Sequence, residues 1–192
     1  MLGLAVAGGQ QENSRYLNSR VRRMIESGST ALDSHTYSAV ELVRYALHDP
    51  AKFKQVDAML VQRMPDPAAA KLLIAAFEAG TAPAWLVAYL IGRISADCGY
   101  ATARTIVLAT PGQLAESYAA VAMVRIRGAR AFADLAELLK TAPQRASREA
   151  AASGLAEFGS VEATELILAA GQAQTIRATI ARRLLTPTPR QL

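Results

Sequence analysis

Residues 145 to 163 read Arg145-Ala146-Ser147-Arg148-Glu149-Ala150-Ala151-Ala152-Ser153-Gly154-Leu155-Ala156-Glu157-Phe158-Gly159-Ser160-Val161-Glu162-Ala163. The first half has the composition of an alanine-rich helix, Gly159 stops it, and Ser160 opens a second helix. Gly159 is the last of three such stops, Gly99, Gly128 and Gly159, spaced 29 and 31 residues apart. Seven residues beyond each stands a branched aliphatic: Ile106, Leu135 and Leu166. Val124 and Leu155 stand four residues before the last two, and Ser95 takes that place in the first unit. A longer helix, a glycine turn and a shorter helix in about 30 residues form one unit of an α-solenoid. Neither helix can bury its apolar stripe alone, so the units must stack. Glycine at the turn is expected to take positive φ at a helix C-terminus.

Outward from this repeat, the chain reads as short helices separated by breakers. A basic segment, Arg15 to Ser27, has Leu17, Val21, Met24 and Ile25 at helical spacing. Asp33 or Ser34 is expected to cap the next helix, whose face carries Tyr37, Val40, Val43 and Leu47. Asp49-Pro50 ends it and starts another, marked by Phe53, Val56, Leu60 and Met64. Asp66 should cap the helix from Pro67 to Ala79, with the proline in the first turn, where its missing N–H costs nothing. Pro83 to Ile94 is apolar on nearly all sides and is expected to lie between neighbours. Ala101 to Ala109, Leu114 to Ile126, Ala131 to Lys140, Arg145 to Phe158, Val161 to Ala170 and Thr175 to Leu185 complete about eleven helices of ordinary length. No alternating strand pattern with turn chemistry is present.

Residues 145 to 163 resemble the HEAT-like repeats found in many bacteria, including the short type named after phycobilisome lyases. That pattern is basic–x–x–Ala–Ala–x–x–Leu–Gly–x–hydrophobic–Gly–Asp, followed by a second helix. Here Ala156 replaces the inner glycine and Ser160 the aspartate. The resemblance covers Gln144 to Ala170 and extends over Ala82 to Pro143. It implies a right-handed α-solenoid of about five stacked hairpins (an all-α, HEAT-like superhelix). The expected organisation is a flexible N-terminus over 1–13, one solenoid domain over 14–185 and a Pro-containing tail over 186–192. Such repeats usually serve as scaffolds that grip other macromolecules; a minority are lyases or DNA glycosylases.

Composition sets limits on the chemistry. The 192 residues include 52% hydrophobic and 19% charged residues, with a net charge of +5, which excludes a disordered chain. One cysteine, Cys98, excludes an internal disulfide and multi-cysteine zinc sites, and two histidines, His35 and His48, defeat most other metal templates. No cofactor or metal is expected. The apolar start, Met1 to Ala7, lacks the basic flank of a secretory signal, and the longest uncharged apolar run, Ala82 to Gly92, falls short of the ~20 residues a spanning helix needs. A cytoplasmic protein without membrane contact is expected. The pairs His48-Asp49 and Asp33-x-His35 read as helix caps rather than catalytic dyads. Cys98 reads as a small buried hydrophobe and Trp85 as core, with a ligand-stacking role for Trp85 as the alternative.

Arginines near the repeat turns carry the functional reading. Arg104, Arg130, Arg145, Arg148 and Arg177 are candidate partner contacts on a concave face formed by the second helices. Arginine pairs bidentately with carboxylates, so the first expectation is a non-catalytic interaction module (an adaptor, a regulatory scaffold or a toxin-neutralising protein) holding a protein with an acidic surface. The alternative is a nucleic-acid-binding protein resembling HEAT-like DNA glycosylases, with the arginines and Trp85 in a groove. A lyase follows from the family resemblance alone.

Overall fold

The computed structural model describes residues 37–60, 65–109 and 113–171. The helices expected at Arg15 to Ser27 and Thr175 to Leu185, together with Arg177, His35, Met64 and the boundaries at 13 and 185, lie outside these residues; the helix expected to be capped by Asp33 or Ser34 begins instead at Ala39, with Ser38 as its cap. Among them the chain forms α1 (Ala39–His48), α2 (Phe53–Leu60), α3 (Pro67–Glu78), α4 (Ala84–Ile94), α5 (Tyr100–Ala109), α6 (Gln113–Arg127), α7 (Phe132–Thr141), α8 (Arg145–Ala156) and α9 (Val161–Ala169). Short 3₁₀ turns at Pro50–Lys52, Asp97–Gly99 and Gly128–Ala131 link consecutive helices.

Local chemistry sets the helix starts. Ser38 caps α1 through a capping box: its Oγ accepts from the Glu41 N–H at 3.2 Å, and its own N–H donates to Glu41 Oε2 at 2.7 Å. Asp66 accepts from the Ala68 and Ala69 N–H groups at 2.9 and 3.0 Å, with Pro67 in the first turn of α3 as expected. Ser160, standing where the repeat pattern has aspartate, caps α9 by accepting from the Ala163 N–H at 3.1 Å.

The stops follow the expected glycines at two of three places. Gly128 and Gly159 have φ of +54° and +65°. The first unit differs: Ser95, at φ 53°, is the left-handed cap of α4, and Gly99 serves close packing instead. A Cβ on Gly99 would stand 2.6 Å from Ile91 Cγ2.

These hairpins stack into an all-α solenoid. The tightest helix pairs are α4 with α6 and α6 with α8, so the first helices of successive hairpins pack directly on one another. Gly92 meets Ala122 while Tyr89 meets Tyr118, and Ala120 meets Gly154. Earlier residues meet earlier residues, so the three helices run parallel. α5 packs against α6, and α7 and α9 against α8, forming the other layer. α4 lies between α3 and α6, which accounts for its apolar character: Leu86, Val87, Ala88, Leu90 and Ile91 are fully buried. Each large aliphatic so buried contributes about 1.5–3 kcal/mol.

Three polar residues among those described are buried as well, Thr102, Ser147 and Glu116, and the last is ionisable. Glu116 in α6 is 0% exposed, and neither carboxylate oxygen has a hydrogen-bond partner. Burial, and secondarily the charge of Glu149, raise its pKa above the usual carboxylate range.

Two outcomes follow from this packing. A Cβ on Gly154 would stand 3.1 Å from the Ala120 carbonyl oxygen and from Leu135 Cδ1. Gly154→Leu should therefore lose about 1–3 kcal/mol in urea unfolding. Glu116 binds its proton more tightly when folded than when unfolded, so its contribution to stability declines as pH rises from the unfolded value through the raised folded value. Glu116→Gln should flatten that decline, with unfolding midpoints at pH 4 and pH 8 as the readout.

Candidate functional site

The face of the α4–α6–α8 row turned away from α5 and α7 carries a groove of about 690 Å³, lined by Tyr89, Leu114, Ser117, Tyr118, Val121, Arg125, Ser153 and Glu157. Its floor is one stripe of α6. Leu114, Tyr118, Val121 and Arg125 recur at intervals of four, three and four residues, which places them on a single helix face. The opposite stripe of α6, with Ala119, Ala122 and Met123, is buried. Leu114 is 55% exposed, an unusual setting for a leucine in an otherwise well-packed row.

An aromatic ladder borders the groove. Trp85 and Tyr89 meet Phe53 edge-on at 5.2 and 5.4 Å between ring centroids, and Tyr89 meets Tyr118 at 5.1 Å. Such T-shaped contacts align the positive edge of one ring with the negative face of the next and hold the rings in fixed orientations. Trp85 thus sits half-buried in the ladder, packed against the core rather than within it as expected.

Charges continue the ladder. Arg93 pairs with Asp57, its Nη2 donating to Oδ2 at 3.1 Å, and donates to the Tyr89 hydroxyl at 3.1 Å. Arg125 stands next in the row. Burial by its surroundings, and then the like charge of Arg93, pull the Arg125 guanidinium below its ordinary range, with Glu157 acting in the opposite direction. The groove thus brings ring faces, apolar edges, two serine hydroxyls and a guanidinium to one surface. This is binding chemistry of the kind found at the centres of protein interfaces.

The arginines singled out in the sequence lie elsewhere. Arg104 and Arg130 are exposed near the glycine-turn edge, beside a network in which Arg127 donates to Asp97 at 2.9 Å and covers the Tyr100 ring at 3.8 Å. The Tyr100 hydroxyl donates to Asp134 at 2.6 Å; burial first, and this carboxylate second, raise its pKa above the ordinary tyrosine range. Arg145 and Arg148 sit in the first turns of α8, at the other end of the parallel row. Arg145 pairs with Glu149 at 2.7 Å, and Arg148 donates to the Ala142 and Pro143 carbonyls. The structure therefore separates these residues between two edges, and the groove is floored by first helices rather than second ones.

Tyr118 and Val121 are not singled out by the sequence; the four-three-four spacing they share with Leu114 and Arg125 on α6 is the signal that finds them. Cys98 is exposed rather than buried, because it lies in the 3₁₀ turn ahead of α5 and not within a helix face. His48 is exposed in the last turn of α1, where a basic group suits the helix dipole. Among the described residues no cluster of three or more His, Cys, Asp or Glu side chains could hold a metal, and no helix is long and apolar enough to cross a membrane.

Residues 147–170, the α8–α9 hairpin, match the family model described as PBS lyase HEAT-like repeat. That hairpin is a HEAT-like repeat, and its neighbours repeat its packing. No curated protein and no solved structure matches the chain.

Arg93, paired beside the groove, and Arg125, which lines it, should respond differently to loss of their charge interactions. Asp57→Asn leaves the half-buried Arg93 without its counter-charge and should lower stability by about 1–2 kcal/mol. Arg125→Gln removes a charge that makes no ion pair among the described residues and should leave the thermal midpoint unchanged within about a degree. Differential scanning fluorimetry of both variants checks the contrast.

Proposed function

We propose that the chain is a non-catalytic protein-interaction module that holds a partner in the groove over α4, α6 and α8. The observation that carries this reading is the exposed Leu114–Tyr118–Val121–Arg125 stripe beside the aromatic ladder. Tyrosine and arginine combine large contact area with directional polar groups, and they dominate interface energetics when neighbouring contacts exclude water. Because the ladder and the Asp57–Arg93 pair already fix the groove walls, little side-chain freedom remains to be lost on binding. The exposed Arg104, Arg130 and Arg145 are outlying contacts for an acidic partner in this reading. An adaptor, a regulatory scaffold and a toxin-neutralising protein would all work through such a surface.

Two features weigh against nucleic acid as the partner. A net charge of +5 over 192 residues is modest, and Asp57 and Asp97 already engage Arg93 and Arg127. Phosphate-backbone binding depends on several free cations along one track.

Site-specific photo-crosslinking tests the reading. The full chain carrying a benzophenone amino acid at Ser117 should crosslink to a protein in its own cells, and Tyr118→Ala should reduce the yield. A 30-base-pair duplex should show no gel shift at 150 mM salt. A duplex shift that persists at that salt and is lost with Arg104→Gln and Arg130→Gln would establish the nucleic-acid alternative instead.

A further inference from the structure

The proposed groove carries a polarity that defines its occupant. Along α6 the stripe runs apolar, aromatic, apolar, then cationic: Leu114, Tyr118, Val121, Arg125. At a rise of about 1.5 Å per residue, Val121 lies about 6 Å and Leu114 about 16 Å along the axis from Arg125. A ligand seated on this stripe therefore meets a guanidinium at one end and apolar surface over the two preceding turns.

The charges around Arg125 are asymmetric. Arg93, one hairpin earlier, is engaged by Asp57 and Tyr89, whereas Arg125 makes no hydrogen bond or ion pair among the described residues. Glu157, at the end of α8, stands on the other side of the groove. Asp57 already balances Arg93, so Arg125 is the guanidinium left to a ligand carboxylate, which gains most on the side of Arg125 away from the Glu157 charge. A cationic ligand group would be left against Arg125.

Resting on the groove's role as a protein-binding surface, we infer that its occupant is a short amphipathic segment of a partner protein. This segment places an aspartate or glutamate on Arg125 and large apolar side chains, about one, two and three helical turns away, on Val121, Tyr118 and Leu114. The carboxylate pairs with the guanidinium through charge-assisted hydrogen bonds, and the apolar residues cover the exposed leucine. The groove volume of about 690 Å³ suits anchor side chains from a segment of two or three turns rather than a whole domain.

Selection from a random 12-residue peptide library displayed on phage, against the immobilised full chain, tests this whatever the natural partner is. Enriched peptides should carry an acidic residue three to eight positions from a pair of large apolar residues. Synthetic versions should bind at least about tenfold more weakly when that acid is replaced by its amide. With Arg125→Gln the acid and amide peptides should bind alike, and Val121→Glu should abolish both. Tyr118→Ala replaces Val121→Glu if circular dichroism shows the latter unfolded. Peptides that bind at the stripe without preference for an acid overturn this inference and leave the groove's role standing. A failure to enrich any peptide that Val121→Glu or Tyr118→Ala weakens overturns both.

Discussion

Close approach between the first helices of successive hairpins is the constraint on which the other features depend. Gly92 sits where a Cβ would lie 2.9 Å from the Ala122 Cβ, and Gly154 where one would lie 3.1 Å from the Ala120 carbonyl oxygen. Larger side chains at these crossings would push the helices apart, and the row would loosen into separate hairpins. Because the contact is made by methyl groups and bare backbone, the helices align in parallel and α6 is held along both sides. One face of the row then receives the second helices, and among the described residues no helix covers the other. The groove is a consequence of that packing: it is the exposed face of a helix whose opposite face is locked.

Polar pairs then fix one hairpin relative to the next. Asp57 and Arg93 are 36 residues apart, Asp97 and Arg127 are 30, and Tyr100 and Asp134 are 34, so each pair joins corresponding places in consecutive units. The Phe53–Tyr89–Tyr118 ladder likewise joins successive first helices through rings. These contacts select register, since a hairpin displaced by one turn would leave a half-buried arginine unpaired. They also occupy charges, so that Arg93 and Arg127 serve structure, while Arg125 makes no ion pair among the described residues. Glu116 has no such partner and ties stability to pH from within the core.

The helices and their limits are legible in the sequence because their causes are local. Asp66-Pro67, Gly80, Gly128 and Gly159 act through backbone geometry within a few residues, and the unit they mark reads as a HEAT-like repeat. Where a tertiary contact intervenes, the outcome differs: Ser95 takes the left-handed position expected of Gly99, whose missing side chain makes room for Ile91. The groove is far less legible. In an alanine-rich helix both faces look apolar, so Leu114, Tyr118 and Val121 are indistinguishable from core until the neighbours of α6 are known. Arginine clustering points instead to Arg104, Arg130, Arg145 and Arg148, because sequence proximity to the turns says nothing about which end of a parallel row a residue occupies. Cys98 likewise follows its turn rather than its residue type.

Direct contact within the α4–α6–α8 row is best measured by nuclear Overhauser spectroscopy on the full chain. The packing requires strong cross-peaks from the Gly92 α-protons to the Ala122 methyl and from the Gly154 α-protons to the Ala120 methyl. Absence of both, with Ala120 and Ala122 methyls instead contacting only residues of α5 and α7, would contradict a row of first helices and remove the groove with it.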